Sequence, residues 1–282
     1  MNTKNAILVI GGNGKTGRRV ATNLTKSGWP VRIGSRTGNP VFDWHDAAGW
    51  PNALSGIGAV YITYQPDLAV PGAVKQIQQL AETAKKQGVQ RLVLLSGRGE
   101  PEAQECEQVI IRSGIDYSIV RASWFCQNFS EGNFYEAVMA GHVALPAGDT
   151  REPFVDADDI AAVAVAALTE DGHNGKIYEV TGPRLLSFKQ AVEEIAHATG
   201  REIQYQEVSM QEYAGEMEQY GLPPEIISLV RYLFTEVMDG RNEYIAHGVE
   251  QALGRKPIDF AAYAKKTTDS GIWNRQTVIQ QP

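Results

Sequence analysis

The sequence predicts an α/β fold, a doubly wound parallel sheet with a smaller, mainly helical C-terminal lobe. Three observations predict it. Short apolar runs alternate with amphipathic segments through the first half of the chain. The first of these runs ends in a glycine-rich turn, GGNGKTG at residues 11–17. Past residue 182 strand signals thin out and helix signals dominate. This sets an expected division into 1–182 for the sheet domain and 183–282 for the helical lobe.

Ala6–Ile10 is a strand-length apolar run that ends in glycines. Lys15–Ser27 carries Val20 and Leu24 on one helical face, with Gly28 just past its end. Val31–Ser35 reads as the second strand, and Ala59–Thr63 and Arg91–Leu95 as two more. Between those two, Val74–Lys86 has helical spacing through Val74, Ile77, Leu80 and Ala81 and stops at Gly88. Glu102–Arg112 reads as a helix, followed by Gly114 and a strand at Tyr117–Val120. Strands alternating with helices of this length make a parallel sheet covered on both faces, and right-handed crossovers make it doubly wound.

Asp158–Leu168 opens on acidic residues, which suits the positive end of a helix dipole. The stretch FVDADDIA, with Asp156, Asp158 and Asp159, reads as the cap region of that helix rather than as an acid pair. Lys176–Thr181 is a further strand, and Ser187 starts a capped helix closed by Gly200. Pro223 and Pro224 separate two later helices. The run RYLFTEVMDGRNEY reads as an amphipathic helix of the lobe, and the last ten residues are polar and expected to fray.

GGNGKTG contains Gly-Lys-Thr, the tail of an ATP-binding P-loop. That loop needs G-x-x-x-x-G-K-[ST], and here the leading glycine would fall on Val9, inside the apolar strand. Gly11, Gly14 and Gly17 instead form G-x-x-G-x-x-G between a strand and a helix, the setting of a Rossmann pyrophosphate loop. In such a loop the first glycine allows the tight turn, the second lets backbone approach phosphate, and the third lets helix and sheet pack closely. The helix N-terminus adds N–H groups and a positive dipole end. A ligand-free turn would use the same residues. At the end of the second strand an NAD site usually places an acid for the ribose 2′-OH. Here VRIGSRTG puts Ser35 and Arg36 in that place. Arg36 can hold a 2′-phosphate and Ser35 can donate to it. This favours NADP(H) over NAD(H), the plain alternative being a solvated surface arginine.

The formal net charge of −7 argues against a non-specific binder of nucleic acid or of anionic membranes. No apolar run reaches the length of about 18 residues that a membrane span needs. The apolar N-terminal run leads into the glycine turn rather than a cleavage site, so it reads as a buried strand and not a signal peptide. Cys106 and Cys126 form no C-x-x-C, and His45, His142, His173, His197 and His247 are scattered. The expectation is a cytoplasmic monomer or homodimer with reduced thiols, a small-molecule substrate and no metal. Cys126 reads as a small buried residue rather than a reactive thiol.

With those residues placed, the chain resembles the NmrA-like branch of atypical short-chain dehydrogenases. The resemblance covers most of the sequence, and is carried by ILVIGGNGKTG, VRIGSRTG, FDWHDAAGWPNALSGIGAVYI, RLVLLSGRG, SGIDYSIVRASWFCQNF and FVDADDIA. GGNGKTGRR with FDWHD looks most like bacterial relatives of the ergot-alkaloid reductases, the festuclavine and agroclavine dehydrogenase type. The resemblance implies Gly11, Asn13, Gly14, Lys15, Thr16 and Gly17 around the pyrophosphate, and Ser35 and Arg36 at the adenosine phosphate. It implies Asp43 and Trp44, after a third strand, beside the adenine. It places Tyr64, Gln65 and Pro66 on the ribose and nicotinamide side, and Ser96 and Gly97 facing the nicotinamide. Ala122, Ser123, Trp124 and Phe125 would wall the nicotinamide and substrate.

One departure narrows the chemistry. Typical short-chain dehydrogenases use Tyr-x-x-x-Lys, but none of the eleven tyrosines here has lysine four residues on. Counting back from Glu107, which matches a recurrent helix glutamate of the extended forms, the two slots fall near Gly99 and Ala103. Glu107 itself reads as a residue that braces a neighbouring loop. Hydride transfer to a neutral carbonyl wants a proton donor or an oxyanion site. Transfer to an iminium ends in a neutral amine, and quinone reduction gives a stabilised phenolate. The expectation is an NADPH-dependent oxidoreductase that delivers hydride to a small electron-poor acceptor of quinone, azo or cyclic iminium type. No catalytic residue is assigned. The substrate-pocket candidates are Ser96, Trp124, Phe125 and Asn128, and Phe129, Phe134 and Tyr135 could extend an aromatic pocket for a cation. The alternative is a non-enzymatic NADP(H)-sensing regulatory protein that binds a protein partner in one redox state.

Overall fold

The structure is a computed structural model that describes residues 5–274. Of these, the residues up to Ser123, with Ala157–Thr181 and Ala246–Pro257, form one compact unit. Trp124–Asp156, Gly182–Ile245 and the residues from Ile258 onward form a second. The chain therefore passes between the units several times, where the sequence reading drew a single cut after residue 182.

Up to Ser123 the elements are β1 (Ala6–Ile10), α1 (Lys15–Lys26), β2 (Val31–Gly34), α2 (Trp50–Leu54), β3 (Ile57–Ile62), α3 (Ala73–Lys86), β4 (Arg91–Gly97), α4 (Pro101–Ile111) and β5 (Asp116–Ala122). The second unit then takes α5 (Asn128–Glu131), α6 (Tyr135–Ala140), β6 (His142–Leu145) and β7 (Arg151–Glu152). The first unit resumes with α7 (Ala157–Thr169) and β8 (Lys176–Val180). β9 (Leu186–Ser187), α8 (Phe188–Thr199), β10 (Gln204–Glu207), α9 (Met210–Gln219) and α10 (Pro224–Tyr232) belong to the second unit. α11 (Gly248–Leu253) returns to the first, and α12 (Phe260–Asp269) lies in the second.

The first unit is built on a parallel sheet of order β2-β1-β3-β4-β5-β8. Both faces are covered, which is why its strands are apolar at successive positions and not only at alternate ones. Leu8, Ile10, Val60, Ile62, Leu92 and Leu94 pack with Leu54, Ile77, Leu80 and Ile110 from α2, α3 and α4. Ile7, Val9, Tyr61 and Val93, the alternate strand positions, are equally buried, and α7 packs against β3, β4 and β5 with α1 beside it. The strand order reverses at β1, between β2 on one side and β3 on the other. Open α/β sheets bind ligands outside the carboxyl ends of their strands at such a reversal.

The second unit is mainly helical and carries two small strand pairs, β6 with β10 and β7 with β9. Its core centres on Phe129, Phe134, Phe154, Phe188 and Phe260. α8 starts in a reciprocal capping box between Ser187 and Gln190 and ends at Gly200 in the left-handed region.

Three elements differ from the sequence expectation. No strand precedes Asp43; Phe42 is held instead by ring packing on Trp44 and Trp50. The run RYLFTEVMDGRNEY is not one helix. α10 ends at Tyr232, a single π-helical turn spans Leu233–Val237, and the chain then turns at Gly240 with φ of 93°. The Asp239 carboxylate accepts from the backbone N–H and the guanidinium of Arg241, a local turn that competes with helix. Of the tail expected to fray, residues 275–282 lie outside the described residues, whereas Trp273 is buried and donates Nε1–H to the Phe129 carbonyl at 3.0 Å.

Candidate functional site

A cleft of about 730 Å³ opens at the carboxyl ends of β1, β2 and β3. Its floor is the turn after β1. Gly11 has φ of 70°, a conformation that side chains disfavour, and a Cβ there would strike Thr63 Oγ1. Thr63 is fixed from below, donating to the Ile10 carbonyl at 3.0 Å. A Cβ on Gly17 would collide with the Gly11 carbonyl oxygen and crowd Gly12. Gly17 thus lets the first turn of α1 lie on the loop. Gly14 is the N-cap of α1, and no side chain caps that end. Gly11, Asn13 and Gly14 line the cleft, while Thr16 and Gly17 are buried beneath it and Lys15 is half-buried.

Ser35 and Arg36 line the second wall. Arg36 is exposed, with no ion-pair partner among the described residues. Ser35 lies 3.4 Å, oxygen to oxygen, from the Thr37 hydroxyl. The Ser35 carbonyl accepts from Gly38 and Phe42, which folds the segment back over β2. Asp43, Trp44 and His45 continue the lining. Their loop is anchored by Trp50, fully buried, which stacks on Phe42 and donates Nε1–H to the Asp43 carbonyl at 2.7 Å. Gln65 and Pro66 close the third side.

Tyr64 points elsewhere. Its ring lies 4.7 Å from that of Trp44, and its hydroxyl donates to Gln76 of α3. Burial pushes its pKa upward. Ser96 is also buried and donates to Glu107 Oε1 at 2.6 Å. Glu107 in turn accepts a bidentate pair from Arg121 on β5. Glu107 therefore ties two strand ends together, where the sequence reading gave it a loop to brace. Gly97 lies directly against the Glu100 carboxyl. Ala122 and Ser123 are buried, the first accepting from the Arg98 N–H and the second donating to Val180.

Trp124, Phe125 and Asn128 belong to the second unit. Trp124 is half-buried, packing on Phe134, Phe188 and Phe234 with centroids 5.3–6.3 Å away. Phe125 bridges to Val155, and Asn128 starts α5. Phe129 and Phe134 are core residues of that unit rather than pocket walls. Asp156 accepts from Gln127 Nε2 at 2.7 Å and Asp158 pairs with Arg19, so neither belongs to an acid pair. Cys106 and Cys126 are buried free thiols. Sequence reasoning missed Thr63, His45 and Trp50, although Trp50 stands in the quoted FDWHDAAGWP stretch and its aromatic density was a signal. It also missed Asp67 and Glu100, which no local pattern marks.

No helix among the described residues is long and apolar enough to cross a membrane. Residues 41–264 match the model of the NmrA-like family. The chain is 30% identical to festuclavine dehydrogenase of Aspergillus fumigatus, over 95% of this chain and 99% of that one. It is 27% identical to NAD(P)H azoreductase of Xenophilus azovorans, over 92% and 96% of the two. Among solved structures, the NADPH-dependent quinone oxidoreductase of Escherichia coli complexed with NADPH matches with a TM-score of 0.77 and 22% identity, over 92% of this chain and 99% of that one.

Proposed function

The chain belongs to the NmrA-like family, and from that premise we propose that it is an NADPH-dependent reductase of a small electron-poor organic acceptor. The observation that carries the reading is the shared cleft of the glycine turn and Arg36. Both face the same space of about 730 Å³, a volume inside the range of ligand pockets of about 300–1,000 Å³. The uncapped N-terminus of α1 beside Gly14 would take the pyrophosphate. Arg36 and Ser35 would take the 2′-phosphate, which is the reason for NADPH over NADH. Trp44, held by Phe42 and Trp50, would lie against the adenine. The bound dihydronicotinamide would supply the hydride.

What the chain itself supplies is orientation, and well-oriented reactants need no further activation when the acceptor is already electron-poor. The sequence has no Tyr-x-x-x-Lys pair, and the hydroxyls of Tyr64 and Ser96 donate to Gln76 and Glu107. Quinone, azo and cyclic iminium compounds are the acceptor classes this favours. The named activities of the clavine, azo and quinone relatives support the same classes.

The test has two steps. Calorimetric titration with NADPH and NADH side by side is expected to show tighter binding of NADPH. Stereospecifically deuterated NADPH is then expected to label one of the three acceptor classes. Binding without any label would favour a sensor of NADP(H) instead, and no binding of either dinucleotide would end the reading.

A further inference from the structure

A second group of side chains stands at the carboxyl ends of β3 and β4, and hydride delivery alone does not use it. Asp67 follows Gln65 and Pro66 of the cleft wall, and Glu100 follows the end of β4. The Glu100 carboxyl fills the space where Gly97 lacks a Cβ. Glu100 is 7% exposed, and its Oε2 is buried with no hydrogen-bond partner among the described residues. The carboxyl shares a hydrogen bond with Asp67. Asp67 is half-buried, and its Oδ1 accepts from the Ala69 N–H at 2.9 Å.

A hydrogen bond between two carboxyl groups requires a proton on one of them, and two carboxylates so close cannot both ionise freely. The surroundings add no relief. Glu102, Glu105, Glu107 and Cys106 of α4 face the pair, while Arg121 is held by Glu107 and Arg98 pairs with Glu179. Burial first, and then the Asp67 charge, push Glu100 up to about 9. Burial raises Asp67 as well. Cys106 is pushed up to about 12, by burial and then the charges of Glu105, Glu107 and Asp67, so it stays a thiol.

We propose that Asp67 and Glu100 hold one proton between them at neutral pH and that Glu100 gives it to the acceptor after hydride transfer. This rests on the reductase reading and narrows its acceptors to those whose hydride adduct is an anion, quinones and azo compounds rather than iminium ions. The balance is as follows. The acceptor takes two electrons and one hydrogen as hydride from the dihydronicotinamide, which is oxidised to the pyridinium. A new O–H bond forms on a quinone, or N–H on an azo group, leaving one anionic oxygen or nitrogen. That anion takes the Glu100 proton; the carboxyl O–H breaks and the second O–H or N–H forms. Half-buried Asp67 then passes a proton from water back to Glu100.

The first test needs no cofactor. Infrared difference spectra of the protein are recorded from about pH 5 to about pH 10. A protonated-carboxyl C=O band is expected to persist through neutrality, fade near pH 9, and vanish in Glu100→Gln. In Asp67→Asn it is expected to fade at lower pH. Loss of every such band below about pH 6 in the wild-type protein would overturn the shared proton. The sign for stability follows from linkage. Glu100 is raised from 4.5 to about 9, so its contribution is complete below 4.5 and is lost as pH rises through about 9. Thermal unfolding of Glu100→Gln is expected to lack that decline, and shows at once whether the variant folds.

The second test is turnover with NADPH. Quinone reduction is expected to fall as pH rises through about 9 and to drop tenfold or more in Glu100→Gln, while reduction of a cyclic iminium is unchanged. Equal quinone rates in wild type and Glu100→Gln would overturn delivery. Absence of turnover with every acceptor, beside a persistent infrared band, would overturn delivery together with the reductase reading and leave the proton pair standing.

Discussion

The two ends of one sheet are held open by different means. At the β1–β2 end the chain removes side chains. Gly11 and Gly17 leave no Cβ between the turn, Thr63 and the first turn of α1, and backbone groups carry the geometry. At the β4–β5 end the chain buries charged side chains. Ser96, Glu107 and Arg121 form one bonded group, Arg98 pairs with Glu179, and Glu100 meets Asp67 over Gly97. The first end is made of neutral dipoles that suit phosphate and change little with pH. The second is made of titratable groups whose energy depends on who holds the proton. The difference teaches that ligand placement and proton handling can be assigned to separate strand ends of one domain.

The sharpest way to break the comparison is Glu107→Ala. Glu107 is 1% exposed and satisfies both Ser96 and Arg121. Removing it leaves the Arg121 charge and the Ser96 hydroxyl without their carboxylate, and breaking a buried pair from one side costs about 3–5 kcal/mol. Chemical denaturation is expected to show that loss. NADPH affinity of the fraction that remains folded is expected to be unchanged, because the damage lies at the other end of the sheet. A stability loss under about 1 kcal/mol would mean that water takes over the role of the carboxylate.

Legibility in the sequence follows the same divide. The turn after β1 was readable because its three glycines are neighbours in the chain, and steric need at a strand-to-helix turn is a local matter. Arg36 was readable for the same reason, since it stands at a fixed distance beyond that turn. The sheet was readable from apolar runs, because a strand buried on both faces has no polar alternation to confuse it. Asp67 and Glu100 were not readable. Each is an ordinary loop acid by itself, and only the adjacency of β3 and β4 brings them together. The same holds for Ser96, whose hydroxyl is spent on a helix residue, and for the Phe129 and Phe134 rings, which packing turned into core. The run after Tyr232 failed because apolar spacing does not register the local turn of Asp239 and Gly240.

At the glycine end, Gly17→Ala is expected to cost about 1–3 kcal/mol of stability through overpacking. It is also expected to abolish measurable NADPH binding, because the only escape from the Gly11 carbonyl is to lift the turn from the helix. Binding retained within threefold would show that the loop can shift without harm. Arg36→Ala carries a smaller effect. Thermal stability is expected to be unchanged, since Arg36 is exposed and has no ion-pair partner among the described residues. NADPH affinity is expected to fall about 10–100-fold, about 1.4–2.8 kcal/mol for a lost charge-assisted contact, with NADH affinity left alone. An equal loss for both dinucleotides would remove Arg36 from the 2′-phosphate.

Trp50→Phe makes the finest cut. A phenyl ring can keep the stacking on Phe42, whose ring plane lies 11° from that of Trp50 at 5.7 Å. It cannot donate to the Asp43 carbonyl, so one buried hydrogen bond of 2.7 Å is lost. The net cost of such a bond is about 1 kcal/mol, and thermal unfolding is the measurement. Because Asp43 and Trp44 sit on the loop that this bond anchors, the adenine side of the cleft should loosen while the 2′-phosphate side does not. The expected signature is therefore a loss of a few fold in affinity, equal for NADPH and NADH, in contrast to the selective loss in Arg36→Ala. A selective loss in Trp50→Phe would mean that the loop positions Arg36 rather than the adenine. The phosphate wall and the base wall would then be a single mechanical piece.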